Sequence, residues 1–260
     1  MSNKRNMTYS LQSQLNTKFV GRQLYYYPSL TSTMEAAKKM ASEGANEGTV
    51  VITDKQTAGR GRLGRAWLSP KGSLALSIIL KPSLNILPQL IMVASLAVVH
   101  ATRKIAGLET QIKWPNDILI RDKKVCGILI ESEVKDRRVN LAIIGIGINV
   151  NLNPSAFPEI SNIATSLSHE LGGEVSKTKL TGALLSELER LYLETQNGAP
   201  IYRQWREHMG TLGKWIQVKD GESVEQGKAE TVAENGNLIL RRADGSSIEI
   251  IVGDVTVIGH

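Results

Sequence analysis

The chain has 260 residues, 42% hydrophobic and 22% charged, the composition of a soluble globular protein with room for one good core and a small second domain. Its net charge of +6 is not that of a nucleic-acid-binding face: Lys4, Arg5, Lys18 and Arg22 precede the first acid, Glu35, three arginines fall in one loop, and the remainder is nearly balanced. A single cysteine, Cys126, excludes an internal disulfide or a cysteine-based metal cluster within one chain and fits a reducing cytoplasm. No continuous apolar stretch marks a signal peptide, and Lys81, Pro82, Asn85 and Pro88 interrupt the most apolar tract, 74–99, so no membrane span is expected.

In chain order, residues 1–24 are polar and lack apolar periodicity, which predicts a loosely ordered basic arm. Tyr25-Tyr26-Tyr27 opens strand-like, and Ser32-Thr33-Met34-Glu35 has the S-x-x-E form of a capping box before an alanine-rich helix, 34–42, closed by Gly44. Strands are expected at 49–53 and 74–80, then a long, almost wholly apolar and therefore buried helix at 88–106. Three β-like runs follow, 111–114, 117–120 and 125–134, the last two joined by a turn at Arg121-Asp122-Lys123-Lys124. A second turn at Asp136-Arg137-Arg138 leads into a strand at 140–150. Short turns between strands imply a mixed, mainly antiparallel sheet with helices on one face, an α+β fold. Leucines at helical spacing give helices at 180–193 and 201–209. From Gly213 onward only short strands with glycine turns appear, at 215–219, 229–233, 238–241 and 248–252, the pattern of a small β barrel packed tightly on the main unit. The expected domains are an arm at 1–24, a main α+β unit at 25–210 and the barrel at 211–260.

Gly59-Arg60-Gly61-Arg62-Leu63-Gly64-Arg65 concentrates three guanidinium groups and three glycines in seven residues. It satisfies the letters of G-x-G-x-x-G, but a dinucleotide fingerprint needs a helix opening at its last glycine, and Pro70 and Gly72 preclude one. What remains is a flexible cationic loop suited to a ligand with several negative charges, or a solvated basic turn. Three further motifs are weak one by one. Lys113-Trp114-Pro115-Asn116-Asp117 sets a lysine, an amide and a carboxylate around a rigid bend, or is a hairpin corner with a buried Trp. Lys124-Val125-Cys126-Gly127 starts a strand with a lysine that could simply be solvated. Gly145-Ile146-Gly147-Ile148-Asn149 alternates glycine and isoleucine within a strand, which marks close approach by a ligand or another backbone, or a bulge.

Taken together, Ser32-Thr33, Gln56 with the GRGRxGR loop and Trp67, KWPND, KxxG and GIGIN closely resemble the catalytic domain of biotin–protein ligases, over about 25–209, and the terminal barrel resembles that family's SH3-like domain. The resemblance implies a class II synthetase-like fold and an enzyme that uses ATP and Mg²⁺ to activate biotin as biotinyl-5′-AMP. The biotinyl group then passes to a lysine of a biotin carboxyl carrier protein or domain of a biotin-dependent carboxylase. No tightly bound prosthetic group is expected. The resemblance assigns Arg60, Arg62 and Arg65 to a loop over biotin and the adenylate, and Lys124 to the biotin carboxylate and phosphoryl oxygens. Ser32, Thr33 and Gln56, with backbone around Gly59 and Gly127, would bind the ureido ring. Trp67 would pack on the ligand side of the loop and Asn149 would read adenine, with Arg62, Arg65 and Asn116 also on the nucleotide. Asn116 and Asp117 would position Mg²⁺–phosphate or the incoming lysine amine, two roles that stay open for Asp117.

Fewer than 30 residues precede the first matched strand and show no two-helix pattern, so a ligase without operator binding is expected. Met34 stands where asparagine is common in the family. Strand edges of the central sheet could pair two subunits. The rivals are a lipoate or octanoate attachment enzyme of the same fold, which needs an apolar tunnel, a non-catalytic biotin sensor, and a nucleic-acid binder, which needs stacking aromatics near the arginines where only Trp67 stands.

Overall fold

The computed structural model describes residues 15–258. Seven strands form the central sheet: β1 (Leu24–Tyr27), β2 (Val50–Thr53), β3 (Ser73–Leu80), β4 (Gln111–Lys113), β5 (Asp117–Ile120), β6 (Lys123–Lys135) and β7 (Arg138–Asn149), in the order β1-β2-β3-β7-β6-β5-β4. β1 and β2 are parallel and every other neighbour is antiparallel, as expected of a mixed, mainly antiparallel sheet. The helices are α1 (Thr33–Ser42), α2 (Leu90–Ala106), α3 (Leu167–Leu171), α4 (Lys177–Gln196) and α5 (Ile201–Glu207).

Side-chain alternation decides which face each helix covers. In β3, Leu74, Leu76, Ile78 and Leu80 enter the large core shared with α2 and α4, whereas Ile79 joins Val51 and Ile143 against Met34 and Ala37 of α1. The expectation of helices on one face is therefore corrected: the longer helices cover one face and α1 covers part of the other. All eight residues of β3 are buried, on both sides of the strand, for this reason. In β7, Ala142, Ile144, Ile146 and Ile148 point to the large core, so Gly145, Gly147 and Asn149 point to the α1 face. The glycine–isoleucine alternation is this two-residue period.

Local chemistry explains most boundaries. α2 buries 12 of its 17 residues and stops at Gly107, whose φ of 64° is left-handed, with Arg103 and Lys104 in its last turn. Together with the 3-10 turn before it, Leu87–Ala106 has the length and hydropathy of a membrane span, but it is the core helix of this fold. Both expected hairpin turns are two-residue turns with positive φ, Arg121 (49°) with Asp122 (62°) and Asp136 (50°) with Arg137 (59°). The capping box does not form. Ser32 is the N-cap of α1 but makes no side-chain cap bond, and Glu35 turns to Arg60 instead.

The N-terminal arm is also corrected for its described part. Leu15 and Val20 are buried, and the carboxylate of Glu189 on α4, itself buried, accepts backbone N–H bonds from Lys18 (2.6 Å), Phe19 (2.8 Å) and Val20 (2.9 Å). Lys4 and Arg5 lie outside the described residues. Glu189→Ala leaves three donors without their acceptor, so a loss of about 1–3 kcal/mol in urea-unfolding stability is expected. An unchanged unfolding midpoint would show that this segment contributes nothing to the folded state.

The C-terminal sheet comprises β8 (Trp215–Asp220), β9 (Ser223–Val232), β10 (Leu238–Arg241), β11 (Ser247–Ile250) and β12 (Asp254–Val257), all antiparallel in the order β11-β10-β9-β8-β12. β12 was not anticipated, and Ile251 and Val252 are exposed residues between strands. The join to the central sheet is tight: Trp114 donates from its backbone to Thr211 Oγ1 (2.9 Å) and from its indole to the Gly236 carbonyl (2.9 Å). The buried-Trp corner is thus realised, as a strut between the two sheets.

Candidate active site

The α1 face of the central sheet, the 59–67 loop and β12 enclose a cavity of about 1100 Å³. Every residue that the resemblance assigned to a site role lines it: Ser32, Thr33, Gln56, Gly59, Arg60, Arg62, Arg65, Trp67, Asn116, Asp117, Lys124, Gly127 and Asn149. They come from five separate stretches of chain, so their convergence is a product of the fold.

One end is polar and uncharged. Gln56 Oε1 accepts from the Thr33 backbone N–H (2.9 Å) and hydroxyl (3.2 Å), and Ser77 donates to Thr33 Oγ1 (2.8 Å). Ser77, on the α1 face of β3, is a supporting residue that the motifs did not reveal. Gly59 has no room for a side chain, since a Cβ would lie 2.5 Å from the Trp67 carbonyl and 2.9 Å from Gln56 Nε2. Met34 Sδ rests over Gly145, where a Cβ would lie 2.6 Å from it.

The cationic loop is a bridged hairpin, with Trp67 N–H bonded to the Gly59 carbonyl (2.9 Å) and Gly61 N–H to the Arg65 carbonyl (2.7 Å). Leu63 turns it with φ 53°. Each arginine is tethered to a different element. Arg60 pairs with Glu35 on α1 (2.8 Å), Arg62 donates to Asn116 Oδ1 (3.0 Å) and the Gly253 carbonyl (3.4 Å), and Arg65 pairs with Asp254 of β12. Burial pulls the Arg62 guanidinium below its ordinary pKa, and Asp254 and Asp117 counter that pull. Both ends of the Asn116 amide are used, since its Nδ2 also donates to the Ile128 carbonyl (2.8 Å).

Beyond the loop, the Trp67 indole lies flat against two glycines. A Cβ on Gly147 would be 2.4 Å from its Nε1, and one on Gly127 would be 3.1 Å from its Cζ3. Lys124 Nζ stands 5.3 Å from the indole centroid and 2.6 Å from Asp117 Oδ1. Main-chain bonds fix Lys124 from both sides, its N–H to the Ile163 carbonyl and its carbonyl from Thr165 N–H, each 2.9 Å. Asn149 Nδ2 donates to the Thr165 carbonyl (3.0 Å), so one of its amide donors holds this same segment. Among the described residues no group of three or more His, Cys, Asp or Glu could hold a metal ion.

This chain matches two family models, the biotin/lipoate A/B protein ligase family over residues 26–149 and the biotin protein ligase C-terminal domain over 211–257. It is 40% identical to the bifunctional ligase/repressor BirA of Bacillus subtilis over 237 residues, 89% of this chain and 73% of that protein. The chain belongs to the biotin protein ligases. The ligase is also 33% identical to the biotin–[acetyl-CoA-carboxylase] ligase of Paracoccus denitrificans, covering 84% of this chain and 93% of that protein. It superposes on the biotin protein ligase of Aquifex aeolicus in complex with biotin and ATP with a TM-score of 0.79, at 30% identity over 91% of this chain and 99% of that one. The α+β class stands, and the C-terminal sheet is consistent with the family's SH3-like domain. The ligase activates biotin with ATP as biotinyl-5′-AMP and transfers it to a carrier of a biotin-dependent carboxylase.

Proposed function

We propose that one cavity performs both half-reactions, with biotin's ureido ring at the Ser32, Thr33 and Gln56 end and the reacting groups between the arginine loop and Lys124. In the first half-reaction a biotin carboxylate oxygen attacks the α-phosphorus of ATP and the bond to the diphosphate breaks. In the second, the ε-amine of a carrier lysine attacks the acyl carbon, AMP leaves and the amine loses a proton. The difficulty is electrostatic, since two anions must meet. Cations held in fixed positions stabilise the charge that builds up without reorganising at that moment.

The observation that supports this reading is the clustering of Arg60, Arg62, Arg65 and Lys124 on one cavity, each already held by a protein partner. Lys124 would bridge the carboxylate and phosphoryl oxygens. Trp67, laid over Gly147, would bound the nucleotide side, with Asn149 toward adenine. Mg²⁺ would arrive with the phosphates, for which one protein carboxylate suffices. Asp117, paired with Lys124, is suited to that role or to receiving the acceptor amine. We further read 25–210 as the catalytic unit and 211–260 as the domain that tethers its loop, in a cytoplasmic enzyme whose acceptor is the carrier domain of a carboxylase.

Diphosphate release from Mg-ATP, with biotin, lipoate or octanoate offered separately, tests the substrate. Turnover with biotin alone is expected, because the Thr33–Gln56 end offers hydrogen-bonding groups and not an apolar tunnel. Turnover with octanoate or lipoate instead would overturn the reading.

A further inference from the structure

We infer that Glu35 is a positioning residue for the biotin-carboxylate end of the site, holding Arg60 in place from the first turn of α1. This rests on the assignment of Arg60 to biotin and its adenylate. The sequence offers Glu35 a different employment. In S-x-x-E it would reach back to the backbone of Ser32 and complete a capping box. It does not: Ser32 makes no side-chain cap bond, and the Glu35 carboxylate lies 2.8 Å from Arg60 Nη2.

The geometry of the pair suits support better than competition. The closest approach is from Nη2, and a guanidinium has five N–H donors against the two oxygens of one carboxylate, so donors remain for an incoming carboxylate. The backbone of Arg60 is separately fixed by its bridge to Ala66, which leaves the side chain as the variable that Glu35 sets. The two elements joined are also the two that the biotin reading requires to move together. α1 carries Thr33 and begins directly after Ser32, and the loop carries Gly59 and Arg60. Glu35 therefore ties the ureido end to the carboxylate end. Its place in the first turn of α1 also suits its charge.

Both side chains are about half exposed, 52% for Glu35 and 48% for Arg60, so the effect is modest. Glu35→Ala is expected to raise the KM for biotin and the dissociation rate of biotinyl-5′-AMP by roughly two- to fivefold, with kcat for diphosphate release little changed. Glu35→Gln, which keeps an acceptor oxygen, is expected to restore most of the loss. The deciding measurement is a double-mutant cycle in biotin KM with Arg60→Ala. On the Arg60→Ala background, Glu35→Ala should do nothing further. If its effect persists there, Glu35 acts through the helix and the inference is wrong. A lower KM in Glu35→Ala would make Glu35 a competitor of biotin, which also overturns it. A wild-type enzyme that released no diphosphate with biotin would instead strike at the functional reading itself.

Discussion

Lys124→Ala is expected to slow biotinyl-adenylate formation by roughly 10²- to 10³-fold, the loss typical of removing one preorganised charge from an active site. Biotin affinity should fall by less than about tenfold, because ground-state binding is shared with the Thr33–Gln56 end and the arginines. The structural basis is how firmly this ammonium is held. Its backbone is bonded on both sides to the 163–165 segment, Asp117 lies 2.6 Å away, and the Trp67 ring supports it at 5.3 Å. Single-turnover diphosphate release and calorimetric biotin binding separate the two effects. Equal losses in both would mean that Lys124 binds substrate without favouring the transition state.

Gly147→Ala should be nearly as damaging although it removes no functional group. The new Cβ would stand 2.4 Å from Trp67 Nε1 and 2.5 Å from Cε2, and an indole cannot bend away. Trp67 is bonded to Gly59 at the base of the arginine hairpin, so its displacement moves the loop as well. A misplacement of about 1 Å at a catalytic array costs on the order of 10²-fold in rate, the loss expected here with the fold retained. Gly145→Ala is the internal control. Its Cβ would meet Met34 Sδ at 2.6 Å, the flexible part of a side chain that can change rotamer, and a loss below about tenfold is expected. Equal effects of the two alanines on diphosphate release would contradict the role given to Trp67.

These two glycines also show what the sequence could and could not reveal. The motifs named the residues that meet in the cavity because the chemistry restricts residue type: guanidinium forks for anions, glycine where ring or backbone lies close. Alternation in β7 then assigned Gly145, Gly147 and Asn149 to one face. Partners distant in the chain left no trace in spacing. The ties from Arg62 to Gly253 and from Arg65 to Asp254 span about 190 positions, and β12, which carries Asp254, is only four residues long and begins directly after Gly253. Residues 18–20 likewise look like an unpatterned arm until Glu189, some 170 residues later, is brought against them.

The side of the sheet on which α1 lies was illegible for another reason. Its alanine-rich pattern shows that one stripe is buried, not which face of a sheet receives it. The clue was β3, where Leu74-Ala75-Leu76 and Ile78-Ile79-Leu80 place apolar residues at adjacent positions and so on both faces of the strand. The failed capping box was a conflict between two good partners. Glu35 could satisfy the helix end or Arg60, and only the packed loop shows which contact prevails.

The most direct test of the central claim is the intact mass of a carboxylase carrier domain after incubation with the enzyme, biotin and Mg-ATP. The expected result is one biotinyl group on one lysine, formed only with ATP present and lost when that lysine is replaced by arginine. A carrier that stays unmodified while biotin and ATP are bound and diphosphate is not released would contradict it.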